Sequence, residues 1–375
     1  MTHMSSRIKA ARRERDWSQT RLIGELERVA KRHGVTLPSR ETLKSRVSRW
    51  ENNHAVPDEF YRQLLREALG LDDRELGFVA EAGDAVTPAV DELQARLSTS
   101  READALLVGA LRMQTEAIRS QDRQYGAGAL LEQLRGHVNN IQQHLDYTIF
   151  DSSRQPLARL LADAAALGGW QALDLGAIDQ AWRLFETAGK AALQGRDAEL
   201  YAFARMEQTH VLVELKDPRA AADLAESVWN DAANAVAPGM RCWLAAAAAE
   251  MHASAGGWRR ALELLLVAES MADSIDGELP PYLVFNQIHL ERWCGHTLVL
   301  LKDPAAEGRL RRSIDDLDPT FIRAAAALRI DLATALKGRG EKDEAEDQLR
   351  QAELLARRVG SRRQLARLQR LRISS

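Results

Sequence analysis

Residues 168–192 read GGWQALDLGAIDQAWRLFETAGKAA, and this stretch indicates how most of the chain is built. Apolar and small residues recur at helical spacing on both sides of the turn LGAIDQA. Related turns, LKDPRAA, AGGWRRA, LKDPAAE and RGEKDEA, follow it along the chain. The five turns align on Ala177, Asp217, Gly257, Asp303 and Glu341, at spacings of 40, 40, 46 and 38 residues. This periodicity predicts a repeated unit of helix, tight turn and helix.

A small residue recurs at a fixed place in these units. Alanine stands four residues after four of the five anchors, at Ala181, Ala221, Ala261 and Ala345. A side chain of this size lets two helices pack closely. One helix pair cannot bury its apolar face alone, so neighbouring pairs must stack into a superhelix. The sequence therefore predicts an all-α fold for this part of the chain.

The repeated region is similar to the degenerate tetratricopeptide-like domains that follow XRE-family helix-turn-helix domains in many bacterial regulators. Residues 168–192 and 331–363 carry this resemblance. It implies a tetratricopeptide-like α-helical repeat domain over residues 156–375. The period exceeds the roughly 34 residues of a strict tetratricopeptide repeat, and longer helices would account for the difference.

Charge is distributed unevenly along the chain. Residues 1–56 contain 13 Lys and Arg against 6 Asp and Glu, a net charge of +7, whereas the other residues have a net charge of −10. The basic charge of residues 1–56 indicates that this region has an anionic partner. An incidental solvated patch is the alternative that charge alone leaves open.

The stretch from Ser39 to Asn52 combines packing residues with cationic ones. Leu43, Val47 and Trp50 are spaced by four and three residues, which predicts one buried stripe on a helix that Ser39 caps. Other faces of the helix then carry Lys44, Ser45, Arg46, Ser48 and Arg49. Cationic side chains and serines on an exposed helix face are typical of a recognition helix in the DNA major groove.

Residues 6–70 resemble the XRE, or phage-repressor-like, helix-turn-helix family. The segments SQTRL (18–22) and SRVSRWENNHAVP (45–57) carry the resemblance. It implies base contacts from Lys44, Ser45 and Arg49 and phosphate or backbone contacts from Gln19, Arg46 and Asn52. The full set of DNA-binding candidates is Gln19, Lys44, Ser45, Arg46, Ser48, Arg49 and Asn52. The resemblance also implies a buried ion pair between Arg12 and Glu51, and the chain departs from the family in a second helix that is longer by about two turns.

These patterns divide the chain into an N-terminal DNA-binding domain (1–78), a linker (79–100), a helical connecting or dimerisation region (101–155) and the repeat domain (156–375). In the connecting region, three-four spacing predicts a stripe that either belongs to the core or forms a dimer seam. This stripe consists of Leu106, Ala110, Met113, Ala117 and Ser120.

Two classes of function fit this organisation. One is a transcription regulator that binds double-stranded DNA and whose repeat domain senses a ligand or partner. The other is an interaction scaffold with a vestigial helix-turn-helix. Because Lys44, Arg46 and Arg49 are retained beside the packing residues, the sequence favours the regulator. One such domain contacts only a few base pairs, so useful specificity requires two half-sites. The sequence therefore further predicts a homodimer.

The combination of the two domains also resembles the RRNPP quorum-sensing receptors, which bind short peptides on the concave face of their repeats. The resemblance implies a peptide, small-molecule or protein ligand on the first helices of the repeats. The candidate ligand-binding residues are Tyr201, Arg205, Gln208, Thr209, Trp243, Asn286, Gln287 and Trp293.

The sequence lacks the usual signatures of catalysis, so we expect no enzyme activity and no cofactor. His289 and His296 have no third ligand nearby, which argues against a metal site. Cys242 and Cys294 are expected to be buried apolar residues. No apolar run is long enough for a membrane span, so we expect a cytoplasmic protein without a membrane partner.

The sixteen residues 357–372, near the end of the sequence, contain seven arginines and no acid. Leu365, Leu368 and Leu371 follow at intervals of three, which predicts an apolar stripe on a cationic helix. The helix either caps the last repeat and turns its arginines toward the acidic domain, or adds phosphate contacts. We favour capping, because a terminal repeat must cover its apolar face.

Overall fold

The computed structural model describes residues 4–52, 55–78, 93–94, 105–276 and 279–373, and every regular element in these ranges is a helix. The chain forms two compact units, Met1–Arg96 and Leu97–Ser375. Below, residues 4–78 are called the N-terminal domain and residues 105–373 the repeat domain. The predicted linker lies outside the described residues except at positions 93 and 94, and so does Asn53.

The N-terminal domain contains α1 (Met4–Glu14), α2 (Gln19–Arg32), α3 (Arg40–Glu51) and α4 (Glu59–Leu69). The side-chain oxygens of Ser18, Ser39 and Asp58 accept hydrogen bonds from the backbone N–H three residues later, so they cap α2, α3 and α4. These bonds satisfy donors that the first helical turn leaves free. The long second helix and the cap at Ser39 agree with the sequence predictions.

The core of the N-terminal domain lies between these helices. Leu43 and Val47 are fully buried, and Trp50 is 4% exposed with its ring centroid 4.9 Å from that of Tyr61. Phe60 on α4 is 41% exposed, so it lies outside this core. The inward stripe of α4 runs through Tyr61 and Leu64, and Phe60 lies one residue to its side.

The repeat domain consists of helices joined by short turns, with a 3₁₀ helix at Ala272–Asp276. Its α-helices are α5 (Ala105–Tyr125), α6 (Leu131–Tyr147), α7 (Asp151–Asp174), α8 (Ile178–Gln194), α9 (Ala198–Glu214), α10 (Pro218–Ala232), α11 (Pro238–Ser254), α12 (Trp258–Ser270), α13 (Gln287–Leu300), α14 (Ala306–Asp316), α15 (Ile322–Arg339), α16 (Lys342–Arg358) and α17 (Arg362–Ile373).

The five aligned turns share one backbone conformation. Four anchors are the N-cap residues of α8, α10, α12 and α16, and the fifth, Asp303, precedes α14. The residue before every anchor has a positive φ, and the anchor N–H donates to the carbonyl five residues earlier. The left-handed residues are Gly176, Lys216, Gly256, Lys302 and Gly340. The chain therefore reverses the same way at each turn, as the repeat alignment predicts.

The recurring alanines lie where the helices approach one another. Ala181, Ala221, Ala261 and Ala345 are all completely buried. A larger side chain at any of these positions would push the paired helices apart. The fold is thus an all-α arrangement of tetratricopeptide-like helix pairs, as the sequence predicts.

Helices α5 and α6 pack on α7 within the repeat domain. The stripe that contains Leu106, Ala110, Met113, Ala117 and Ser120 is exposed, with Met113 70% exposed, so the interpretation of this stripe as core is wrong. The buried face of α5 is shifted by about one residue from the predicted stripe, from Ala110 to Leu111, and it contains polar groups. Its members are Leu111, Thr115, Ile118, Arg119 and Asp122.

The first helices of successive pairs form the inner layer of the repeat domain. Helices α7, α9, α11, α13, α15 and α17 contact one another in chain order, and α17 also contacts α7. The inner layer therefore closes into a ring, in which the last helix returns to the first.

Side chains far apart in sequence hold this closure. Arg323 donates to both carboxylate oxygens of Asp122 at 3.0 Å and to Asp174 at 2.7 Å. The hydroxyl of Ser361 donates to Asp174 at 2.5 Å. At Gly126, a Cβ would lie 1.9 Å from the carbonyl oxygen of Val359, so only glycine permits this approach.

The C-terminal helix α17 covers the end of the inner layer. Leu368 is buried, and Leu365 and Leu371 pack against the same core. Arg363 pairs with Glu214 at 2.7 Å and Arg367 with Asp331 at 2.6 Å. Both contacts have the geometry that the capping interpretation predicts.

Candidate functional site

The outward face of α3 is the first candidate site. The buried stripe of α3, with Leu43 and Val47 at its centre, fixes which side chains point outward. Of the predicted DNA-binding residues on this helix and at its end, Ser48 is half-buried and the others are exposed. The exposed members are Lys44, Ser45, Arg46, Arg49 and Asn52.

The cationic side chains of this face differ in their ion pairing from Arg28 and Arg40. Arg28 pairs with Glu25 at 2.5 Å, and Arg40 pairs with Glu27 at 2.7 Å. Within the described residues, Lys44 and Arg49 form no ion pair, and the guanidinium of Arg46 lies 5.1 Å from the ring centroid of Tyr61. The outward face of α3 thus carries positive charge that no neighbouring carboxylate neutralises.

A buried network ties α3 to the two helices before it. Glu51 accepts hydrogen bonds from Arg12 at 2.6 and 3.0 Å and from the side-chain amide of Gln19 at 2.8 Å. Burial acts to raise the pKa of Glu51, but these donors outweigh it and hold the pKa below its ordinary value. The predicted Arg12–Glu51 pair is therefore present, and Gln19 belongs to the same network.

Asn52 lies where α3 meets α1. Its side-chain amide donates to the carbonyl oxygen of Ser48 at 2.9 Å, and Lys9 Nζ lies 3.5 Å from Asn52 Oδ1. The cationic face of α3 therefore continues onto α1 through Lys9. The roles in DNA contact assigned to these residues stay predictions.

The second candidate site is a cavity of about 280 Å³ inside the ring of the repeat domain. Each of the six inner helices contributes to its lining, together with α5 and residues 282–284. Aromatic side chains form much of its wall. They are Trp170, Phe203, Trp243, Tyr282, Trp293 and Phe321.

The aromatic rings contact one another across several helices. The centroids of Phe203 and Trp243 are 5.2 Å apart, and those of Trp243 and Trp293 are 6.4 Å apart in an edge-to-face arrangement. Phe203 also lies 4.9 Å from Tyr282. Such spacings are those of favourable aromatic pairs, so the wall is a connected apolar surface.

Most charged groups of the cavity wall have partners. Arg119 pairs with Asp163, and Arg323, Arg363 and Arg367 form the closing ion pairs described above. His296 lies 2.9 Å from Asp331 and 3.5 Å from Glu250. Because these charges have partners, they leave little capacity for a further ion.

Three charged groups of the wall remain without an ion pair among the described residues. The Nε atoms of Arg123 and Arg292 are buried and have no hydrogen-bond partner. Burial lowers the pKa of Arg292, although the carboxylates of Glu250, Asp331 and Glu207 act in the opposite direction. Glu207 also has no direct partner, and burial and the nearby Glu250 raise its pKa to about 7.

The histidine network of the cavity is strongly polarised. Although burial opposes it, the carboxylates of Asp331 and Glu250 raise the pKa of His296 to about 9. Burial instead lowers the pKa of His210 to about 4. His296 is therefore protonated at neutral pH and His210 is neutral.

The network gives a pH dependence of stability with a definite sign. Because folding raises the pKa of His296 from 6.5 to about 9, its contribution is complete below pH 6.5 and is lost as the pH rises through about 9. We expect the free energy of unfolding of the repeat domain, measured by urea titration, to fall between pH 7 and pH 9. His296→Gln should remove this decline and His144→Gln should keep it; equal slopes in both variants would contradict the assignment.

The structure places the predicted ligand-binding residues in two groups. Trp243 and Trp293 line the cavity. The other six lie outside its lining, and most have partners: Arg205 bonds to Gln208 and Glu186, and Asn286 caps α13. The others outside the lining are Tyr201, Thr209 and Gln287.

Sequence reasoning missed Trp170, Glu207 and Arg292. Trp170 stands in the stretch GGWQALDL, and a tryptophan beside two glycines could have indicated a residue of the cavity wall. Glu207 and Arg292 had none, because charged residues on helices are ordinarily solvated, whereas these two are half-buried in the cavity wall.

Cys242 and Cys294 are buried free thiols. No group of three or more His, Cys, Asp or Glu that could hold a metal ion occurs in the part of the chain that the structure describes. Across the same residues, no helix has the length and apolarity needed to cross a membrane.

No protein-family model and no curated protein matches the sequence. Among solved structures, the chain is similar to PlcR of Bacillus thuringiensis, in complex with the peptide PapR7 and DNA, at 13% identity and a TM-score of 0.35, over 98% of this chain and 99% of that one. It is also similar to a Rap protein complexed with Competence and Sporulation Factor, at 15% identity and a TM-score of 0.46. This similarity covers 95% of this chain and 99% of the Rap protein. A third similar structure has the TPR-like repeats of a Podosopora anserina kinesin light chain, at 16% identity and a TM-score of 0.34. This similarity covers 52% of this chain and 94% of the other.

Proposed function

We propose that this protein is a sequence-specific DNA-binding transcription regulator whose repeat domain binds a ligand in the cavity of its inner ring. The observation that carries the proposal is the outward face of α3, where Lys44 and Arg49 are exposed and form no ion pair among the described residues. Arginine and lysine on such a face donate to guanine O6 and N7 in the major groove. Ser45 and Ser48 supply shorter donors on the same face.

The packing of α3 supports the same assignment. A recognition helix must be held rigidly, because base readout requires side chains at fixed positions. Here Leu43, Val47 and Trp50 anchor one face of α3, and the network of Glu51 with Arg12 and Gln19 fixes its C-terminal end. The cationic face is thus presented from a firm support.

Replacing Lys44 or Arg49 by alanine should weaken specific DNA binding by about 1–3 kcal/mol without unfolding the domain, because each variant loses contacts to base edges. Fluorescence anisotropy with the protein's own promoter DNA measures the change. Arg28→Ala removes an equal charge from an exposed, paired arginine on α2 and should keep the affinity of the parent. If Lys44→Ala and Arg49→Ala also bind like the parent, α3 does not read DNA and a scaffold with a vestigial helix-turn-helix becomes the better account.

We further propose that the regulator acts as a homodimer, because one small domain contacts too few base pairs for useful specificity. The exposed stripe of α5, which includes Ala110, Met113 and Ala117, supports a dimer contact outside the N-terminal domain. Two copies of such a stripe can form a helix seam that a two-fold axis relates.

Deleting residues 1–78 should therefore leave the oligomeric state unchanged. Size-exclusion chromatography with light scattering compares the deletion variant with the full chain at equal concentration. Met113→Glu in the full chain, which places a charge on the stripe, should shift the population toward monomer. A monomeric deletion variant would instead place the dimer contact in the N-terminal domain.

A further inference from the structure

The cavity of the repeat domain has a composition that restricts what it can bind. Its wall combines a connected aromatic surface with the guanidinium groups of Arg123 and Arg292, which have no ion pair among the described residues. Leaving arginine nitrogens buried without partners costs stability. A bound anion would supply the missing acceptors, so the two arginines indicate a site prepared for negative charge.

The unpaired charges of the wall also favour a negatively charged ligand. Glu207 is the acid of the described lining that has no direct partner, and burial and Glu250 keep its pKa near 7. Its carboxylate therefore offsets only part of the charge of Arg123 and Arg292 at neutral pH. Among the groups of the described lining that have no ion pair, two are cationic and one is an acid, so these three groups favour an anion over a cation.

The size and lining of the cavity argue against an extended peptide. A volume of about 280 Å³ is at the lower end of small-molecule sites, which span roughly 300–1,000 Å³. Gln364 is the one amide side chain of the described lining, and its oxygen already accepts from Arg367 at 3.1 Å. A peptide backbone would thus meet almost no paired amide donors and acceptors.

We propose that this cavity binds one small aromatic molecule carrying a single anionic group such as a carboxylate, with Arg292 and Arg123 contacting the anion and the tryptophans contacting the rings. This inference rests on the proposed function, since it names the chemical class of the ligand that the repeat domain binds. Trp170, Trp243 and Trp293 offer ring faces and edges on three different inner helices. Binding one molecule between them would link α7, α11 and α13.

Isothermal titration calorimetry of the full chain with three naphthalene probes tests this proposal. The probes are 1-naphthylacetate, its neutral amide 1-naphthylacetamide, and the cation 1-naphthylmethylamine. We expect the carboxylate to bind at least about tenfold more tightly than the amide, because charge-assisted hydrogen bonds to arginine are lost with the amide. The amine should show no binding.

Variants separate the site from general adsorption to the surface. Arg292→Gln should abolish the preference for the carboxylate over the amide, because the variant loses the guanidinium that contacts the anion. A cooperative melting transition should show that the variant is folded. Arg312→Gln changes an exposed arginine on α14 that pairs with Glu291, and should keep the preference. The proposal is overturned if naphthylacetate does not bind, if carboxylate and amide bind equally, or if Arg292→Gln keeps the preference.

The titration contains no DNA, so its failure leaves the assignment of α3 intact. Conversely, loss of the proposed DNA binding would not alter the affinity for the probes. Binding of a pool of unmodified pentapeptides, together with no binding of naphthylacetate, would assign the cavity to peptides and contradict the inference.

Discussion

Truncation after Arg358 should markedly destabilise the repeat domain. The variant lacks α17, so Glu214 loses Arg363, Asp331 loses Arg367 and Asp174 loses Ser361. Removing one partner of a buried ion pair costs about 3–5 kcal/mol, and the loss of packing around Leu368 adds to it. We expect a clear fall in melting temperature by differential scanning calorimetry.

The same truncation should leave the salt dependence of DNA binding nearly unchanged. If α17 closes the inner ring, its arginines release no counterions from DNA. Removing only residues 374–375 is the control and should have no effect on either quantity. A stable truncated protein with a flatter salt dependence would show instead that the tail contacts phosphates.

Trp50→Ala should destabilise the N-terminal domain by about 3–5 kcal/mol, since the side chain is almost fully buried and its removal leaves a large cavity. The loss of the ring contact with Tyr61, at 4.9 Å between centroids, contributes to this cost. Urea unfolding of the full chain, followed by hydrogen exchange of α3 and α4, measures the change.

Trp258→Ala is the matched control for this substitution. Trp258 stands at the start of α12 and is 60% exposed, so its replacement should change stability by less than about 0.5 kcal/mol. Equal protection of α3 in Trp50→Ala and in the parent would contradict the packing of Trp50.

Local features of the fold were predictable from sequence because local chemistry determines them. Ser39 caps α3 through its own side chain, and Ala181 and Ala345 mark close helix contacts by their small size. The turn alignment succeeded for the same reason. In each case, residues within five positions of one another decide the conformation.

Features that depend on distant partners were not predictable in this way. Arg119 and Asp122 are buried on α5 because Asp163 and Arg323 neutralise them, and Arg323 lies 201 residues beyond Asp122. A spacing rule assigns such polar positions to solvent, so it selected the exposed stripe with Met113. The cavity was missed likewise, since its wall exists only when α17 returns to α7.

The most direct test of the central claim is selection of bound sequences from randomised double-stranded DNA by the purified full-length protein. Because α3 presents Lys44 and Arg49 from one rigid domain and the proposed regulator is a two-fold dimer, we expect enrichment of one motif with two inverted half-sites. Their centres should lie about one helical turn, roughly 10 base pairs, or a multiple of it apart. Enrichment should disappear in the double variant Lys44→Ala, Arg49→Ala. Sequences that stay random with the parent protein, or an unchanged motif with the double variant, would contradict the claim that α3 reads DNA.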